Sequence, residues 1–415
     1  MALDAPLFRR ESARLLAALT RIFGVANVAL AEDAVQETLA NAFAEWSHRG
    51  VPAHYSALLM ASAKNRMLDT FRRERTALKF APEVGRSIES EQATQPAVEG
   101  LFLAPALKDD ELRMMFSCCH PHLNEEVQVA LILRILCGFG VSEIASIYLA
   151  TDSAIEKRLS RGKKVLAASK SLFELSTADF APRLAVVHRA LYLLFSEGYH
   201  GSGEESVVRS ELCREAIRLI RLLVEHAPAA TSTTCALAAL MCLGGARLPG
   251  RINESGDLTR LFDQDRSRWD AQLIAEGLVL LDRSATGTDV SEYHIEAAIA
   301  GLHAGAIHAD DTPWSQIVAL YDALARIRPS PVVALNRAMA LAQLEGPERG
   351  LEAVRAIAGA EQLREYPFYE AALGELELRC GRNDVAREHF RLALGLARNT
   401  AERRFLARRI ADCEA

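Results

Sequence analysis

The chain has 415 residues, 50% hydrophobic and 25% charged, with a net charge of −6. That length accommodates two or three domains with cores of their own, and the mild acidity excludes a general affinity for polyanions. Apolar runs stay short of the roughly 20 residues that cross a bilayer, and eight cysteines without a spaced CxxC pair make no disulfide framework.

Asp4 ahead of Arg9, Arg10 and Glu11 breaks the charged-then-apolar order of a secretory leader, so a cytoplasmic protein with reduced thiols is expected. Residues 8–23 carry Leu15, Leu16, Leu19 and Phe23 near helical spacing, and Gly24 ends the run. The stretch AEDAVQETLANAFAEW, 31–46, predicts a second helix. Val35, Leu39, Ala42, Phe43 and Trp46 form its apolar stripe, with Glu32, Asp33, Gln36, Glu37 and Glu45 around the remainder. Pro52 resets the chain, and YSALLMASAKNRMLDTFRRER, 55–75, predicts a third helix, apolar first and basic last. Basic residues suit the C-terminal end of any helix dipole. The cluster Lys64, Arg66, Arg72, Arg73 and Arg75 therefore fits a solvated face as well as a DNA contact.

From 80 to about 105 the pattern fades into a polar stretch with proline and glycine, which reads as a linker. Helical periodicity resumes at Asp109. Next comes CCHPH, with Cys118, Cys119, His120 and His122 close together. A tetrahedral metal site usually draws two separated pairs of ligands, and adjacent cysteines do not readily aim both sulfurs at one ion. Buried thiols beside a turn at Pro121 are expected instead, and no metal. In VSEIASIYLATDSAIEKRLSRGKKVL, 141–166, Ser142 caps a short helix, a break follows around 149–152, and a second helix opens at Asp152 or Ser153. Ile155, Leu159, Gly162 and Leu166 fall on one side of it, small Gly162 permitting close packing; Ser153, Glu156, Lys157, Ser160, Arg161 and Lys164 fall on the other. This is the layout of a helix-turn-helix, and also of an ordinary amphipathic pair with a basic face.

From Ala178 onward the chain reads as helical throughout. Asp263, Asp265, Arg266, Arg268 and Asp270 crowd beside Trp269, and ion pairing that fixes one helix against another is the expected role. His294, His303 and His308 lack an HExxH arrangement, and no phosphate loop, nucleophile elbow or paired acid and base emerges, so an enzyme is not expected and no cofactor is implied. Toward the end, Gly374, Gly381, Ala386, Phe390 and Ala393 match the small and aromatic positions of a tetratricopeptide repeat, and 331–357 pairs two helices at a similar period.

Taken together, the two basic helical modules, the linker and the repeat-like tail resemble the extracytoplasmic-function class of bacterial RNA polymerase sigma factors, in the sigma-70 family. More narrowly they resemble the subgroup with a long tetratricopeptide-like extension. LRMMFSCCHPHL, YLLFSEGY, DQDRSRWD, LYDAL and SPVVALNRAMAL are further marks of that likeness. The resemblance implies that Asp33, Gln36 and Glu37 face the clamp helices of the polymerase β′ subunit. It places Lys64, Asn65, Arg66, Asp69, Arg72 and Arg73 near the −10 promoter element. Ser153, Glu156, Lys157, Arg158, Ser160 and Arg161 go to the −35 element. Two departures stand out: Ala154 where the family commonly has Thr or Ser, and Gly162 after Arg161 where it commonly has Ala.

The fold expected is all-α: a region 2 module at 1–78, a linker at 79–107, a region 4 helix-turn-helix at 108–172, and a helical-repeat extension at 173–415. The partners implied are core RNA polymerase, through the β′ clamp helices and the β flap, promoter DNA, and a regulatory protein on the extension; no membrane is implied. Two other classes fit the same elements: a tetratricopeptide adaptor, and a helix-turn-helix repressor that ignores polymerase.

Overall fold

The computed structural model describes residues 5–77, 104–148, 150–168, 179–201, 208–253, 257–287 and 289–414. Among them the chain is all-α, without a β-sheet and with one isolated bridge between Ile252 and Leu258. No helix of these residues is long and apolar enough to cross a membrane. The contacts divide the chain into two units, Met1–Leu194 and Phe195–Ala415.

In the first unit α1 (Ala5–Phe23), α2 (Val28–Arg49) and α3 (Tyr55–Ala77) pack against one another. Leu15, Leu16 and Leu19 of α1 are buried as their spacing predicts, and Gly24 ends the helix at a left-handed φ of 82°. Buried Glu11 is held by Arg14 at 3.2 Å and by the Ser56 hydroxyl, which donates at 2.9 Å. The apolar stripe of α2 differs from expectation at Phe43, which is 55% exposed and lies edge-to-face with Phe8, 5.7 Å between centroids. Ala31, Ala34, Val35, Thr38, Ala42 and Trp46 form the buried face instead. Phe43 lies one step of about 100° beyond Ala42, which carries it off that face.

Of the linker expected at 79–107, residues 79–103 lie outside the described residues and 104–107 are helical. Next, α4 (Ala104–Cys118) starts ahead of the expected Asp109, with Pro105 in its first turn, where the missing N–H has no intrahelical partner to lose. It packs on α1, and Arg21 reaches buried Asp110 at 3.0 Å. Three helices follow, α5 (Glu125–Ile135), α6 (Val141–Tyr148) and α7 (Asp152–Ala168). The apolar α8 (Leu184–Tyr199) runs across the division between the units.

The second unit begins with α9 (Ser210–Glu225), α10 (Ser232–Ala246) and the one-turn α11 (Leu248–Arg251). Helix α10 has no polar face: Thr234 through Ala239 and Met241 through Leu243 are buried, because α9, α12 (Ala271–Ser284) and α13 (Glu292–Gly305) surround it. The 258–281 stretch pairs with other helices through Arg260, on Glu375 at 2.7 Å, and Glu276, on Arg221 at 2.5 Å, rather than through the charges expected beside Trp269. It holds single turns at Leu261–Asp263 and Arg266–Arg268, then α12. Its acids are mostly local caps: Asp265 accepts from the Ser267 N–H at 2.9 Å, and Asp270 from those of Gln272 and Leu273 at 2.9 and 3.0 Å. Arg266 binds backbone, donating to the His303 carbonyl at 2.9 Å.

Helix pairs complete the unit: α14 (Trp314–Ile327) on α15 (Pro331–Glu345), α15 on α16 (Pro347–Arg355), and α17 (Pro367–Arg379) on α18 (Asn383–Leu396), followed by α19 (Thr400–Asp412). The repeat-like positions explain the closest of these pairings. Gly374 leaves room for Phe390, whose ring would stand 2.9 Å from a Cβ there, and Gly381 makes the turn at φ 75°. Ala386, Phe390 and Ala393 are all buried. Burying a phenylalanine contributes about 1.5–3 kcal/mol relative to exposing it, so Phe390 anchors this hairpin.

Candidate nucleic-acid interface

The helix-turn-helix is built from α5, α6 and α7. Asn124 caps α5, its side chain accepting from the Val127 N–H at 3.0 Å. At the start of α6 the Glu143 carboxylate takes the Gly140 N–H at 2.6 Å. Ser142, expected as the cap, instead donates its hydroxyl to Asp152 at 2.6 Å, tying the first turn of α6 to the first residue of α7. Thr151 caps α7 by accepting from the Ala154 N–H at 3.3 Å.

The two sides of α7 are those the spacing predicts. Ile155, Leu159, Gly162 and Leu166 are buried. A Cβ on Gly162 would stand 2.9 Å from both Leu131 and Val127, so this glycine sets how closely α7 lies on α5. Ser153, Glu156, Lys157, Ser160, Arg161 and Lys164 are exposed. Arg158 is half-buried, paired with Glu126 at 3.2 Å and set over the Tyr148 ring at 5.9 Å, so it braces the motif as well as facing outward.

On the first module Asp33, Gln36 and Glu37 are exposed along one side of α2. Glu37 pairs with half-buried Arg66 of α3. Asn65 and Asp69 are exposed, Lys64 is half-buried, and Arg72 pairs with Asp69 at 3.3 Å. The Arg73 side chain lies outside the described residues. These residues of α3 and those of α7 both lie in the first unit.

Glu32 is the residue that sequence reasoning left as surface decoration. Its carboxylate takes Arg134 of α5 at 3.0 Å and also Lys163 of α7. Arg9 of α1 adds a contact, donating to the Cys137 carbonyl at 3.4 Å and lying 5.5 Å over the Phe139 ring. A crevice between the modules is lined by Ala26, Val28 and Ala29 on one side and by Glu156, Ser160 and Lys164 on the other. No local signal marks these partners, which lie more than a hundred residues apart in the chain.

The CCHPH stretch holds buried thiols. Burial pushes Cys118 well up and Cys119 up to about 12. His120 accepts from the backbone N–H of His122 at 3.2 Å. Among the described residues no group of three His, Cys, Asp or Glu is placed to hold a metal ion.

Residues 113–166, which hold this helix pair with one buried and one basic face, match the family described as Sigma-70, region 4. Residues 183–285 match a second family, described as a family of unknown function (DUF6596). The chain is 37% identical over 394 residues to the Rhizobium meliloti (strain 1021) protein named Uncharacterized protein R00370, covering 94% of this chain and 91% of that one. It belongs to the same family as that protein, and its region 4 segment gives it a sigma-factor-like role in general terms. No solved structure matches.

Proposed function

We propose that the protein is a transcription initiation factor that binds core RNA polymerase and directs it to promoters. Asp33, Gln36 and Glu37 dock on the β′ clamp helices, and the β flap is a further contact of the polymerase. Lys64, Asn65, Arg66, Asp69, Arg72 and Arg73 meet the −10 element. Ser153, Glu156, Lys157, Arg158, Ser160 and Arg161 meet the −35 element, and the tetratricopeptide-like extension at 173–415 modulates activity. The observation that carries this reading is α7, buried along Ile155, Leu159, Gly162 and Leu166 and polar-basic opposite, within the segment that matches sigma-70 region 4.

The chemistry is non-covalent. Lysine and arginine on phosphates position the protein, and polar side chains of a groove-bound helix discriminate base edges. Several of these cations already hold carboxylates: Arg66 with Glu37, Arg72 with Asp69, Arg158 with Glu126. The Arg72–Asp69 pair is exposed on both sides, and such pairs are worth about 0–1 kcal/mol, so exchanging that carboxylate for a phosphate is inexpensive. Two moderate footprints, tethered through polymerase, then select a promoter that neither selects alone.

The test is run-off transcription by purified core polymerase with the full chain. Start-specific product that disappears in Arg161→Glu supports the reading, and deletion from about residue 180 changes its yield. Neither core binding nor product points to an adaptor built on the helix pairs of the second unit. A promoter-specific shift without polymerase points to a repressor.

A further inference from the structure

In the second unit three guanidinium groups gather around α11. Arg247, at the C-terminal cap of α10, lies over the Trp269 ring at 5.4 Å, and Arg266 over the same ring at 5.1 Å. Arg251, the last residue of α11, lies over the Tyr199 ring at only 3.9 Å. Arg266 is anchored by its bonds to the His303 carbonyl and, at 3.2 Å, to the Thr312 hydroxyl. Elsewhere in this unit arginines find carboxylates: Arg221 takes Glu276, Arg260 takes Asp263 and Glu375, and Arg409 takes Glu375. Among the described residues Arg247 and Arg251 have no such partner.

Aromatic faces attract a cation without neutralising it. The cluster therefore carries net positive charge in a partly dehydrated place, where like charges repel more strongly than in water. Its polar atoms are also incompletely used. The Nε of Arg247 and of Arg266, His303 Nδ1 and Trp269 Nε1 are buried without a hydrogen-bond partner, and Trp269 as a whole is only 5% exposed. Gly250 keeps the backbone close to that indole, since a Cβ there would stand 2.9 Å from Nε1. The neighbours register the field. Burial alone pushes the Tyr199 phenol up, yet Arg247 and Arg251, with a hydrogen bond from Arg251, outweigh it and leave it below its ordinary value.

We infer that Arg247 and Arg251, beside Tyr199 and Trp269, form a binding site for a phosphate-class oxyanion, either inorganic phosphate or the phosphoryl group of a small molecule. Forked guanidinium donors match the oxygens of such a group, and a dianion balances two arginines that have no carboxylate partner among the described residues. Arg251 also borders an apolar cleft of about 220 Å³ with Leu258, Phe368, Phe405 and Leu406, which gives a phosphorylated compound room for an apolar body. The site belongs to the second unit and does not depend on the promoter reading.

The experiment is thermal unfolding and calorimetry of the full chain at constant ionic strength, with inorganic phosphate against chloride as the control. Phosphate at ten times its Kd should raise the Tm of the second unit's transition by about 3 °C, and chloride should not. Arg247→Gln and Arg251→Gln should each weaken phosphate binding by tenfold or more, while their Tm without phosphate stays level or rises as repulsion is relieved. Arg251→Lys, which keeps the charge but loses the fork, should fall between. Equal shifts with phosphate and chloride, or undiminished phosphate binding in both glutamine variants, would overturn the site. If phosphate binds, a larger gain for phenyl phosphate than for free phosphate assigns the cleft to the ligand body; equal affinity assigns the site to the free ion.

Discussion

Glu32 and Arg134, 102 positions apart in the chain, meet at 3.0 Å, with the guanidinium Nε donating to the carboxylate. The same carboxylate holds Lys163, so one side chain of α2 joins α5 and α7 of the helix-turn-helix to the first module. Glu32 is 12% exposed and its two partners 25% and 23%, so all three have given up much of their hydration. Replacing Glu32 with Ala takes the carboxylate from two partly buried cations, Arg134 keeping its bond to the Phe139 carbonyl at 3.0 Å, at a loss of about 2 kcal/mol. Amide exchange should rise in α2 and in the α5–α7 segment together. Faster exchange in α2 alone would mean that the carboxylate serves its own helix and not the junction.

How much of this was legible follows from the range of each interaction. The buried residues Ile155, Leu159, Gly162 and Leu166 are readable because one helix sets their phase, and Gly374 with Phe390 because a repeat brings them together at fixed spacing. Phe43 was misplaced because an apolar residue at the margin of a stripe satisfies periodicity whether or not a neighbour covers it. The caps at Asp265 and Asp270 were signalled by an acid just ahead of a helical turn, but the charge-rich surroundings suggested ion pairs. Glu32 with Lys163, and Arg266 with the His303 carbonyl, join distant segments, and nothing near either residue announces the other.

Gly162 sets the distance between α7 and α5. Alanine there gains about 1 kcal/mol of helix propensity. Its methyl would stand 2.9 Å from Leu131 Cδ1 and Val127 Cγ1, and forcing such neighbours aside typically costs about 1–3 kcal/mol. Gly162→Ala should therefore lose about 1 kcal/mol, and Gly162→Val, with a branched and bulkier side chain, about 3 kcal/mol. Native-state amide exchange in α5 and α7 reads both. A valine variant as protected as the parent would show that the helices separate without loss.

His303, in the last turn of α13, is 7% exposed, and its imidazole is lowered from 6.5 to about 3, first by burial and then by Arg247 and Arg266. As pH falls through 6.5 the unfolded chain takes up a proton there, while the folded chain does not until about 3. The stability tied to a neutral His303 is thus present above 6.5 and lost on acidification between those values. Over the 1.5 units from 6.5 to 5 this amounts to about 2 kcal/mol. His303→Gln should narrow the difference between unfolding free energies at pH 7 and pH 5 by that amount. An unchanged difference would mean that the ring is reached by water and titrates normally.

Arg158 and Arg161 separate bracing from DNA contact within α7. Arg158 holds Glu126 at 3.2 Å and covers Tyr148, whereas Arg161 is exposed among Lys157, Ser160 and Lys164. Under the proposed function, Arg161→Ala removes a phosphate or base contact and leaves the fold intact. Its affinity for promoter DNA in the polymerase complex should fall by roughly 1–3 kcal/mol for a base contact. For a phosphate contact the salt dependence should lose about one unit of slope instead. Thermal stability should not change in either case. Arg158→Ala should lower both DNA affinity and thermal stability, because Glu126 and the Tyr148 face lose their partner with it. Equal loss of stability in the two variants would place Arg161 in the scaffold and move the DNA-facing surface to another side of the helix.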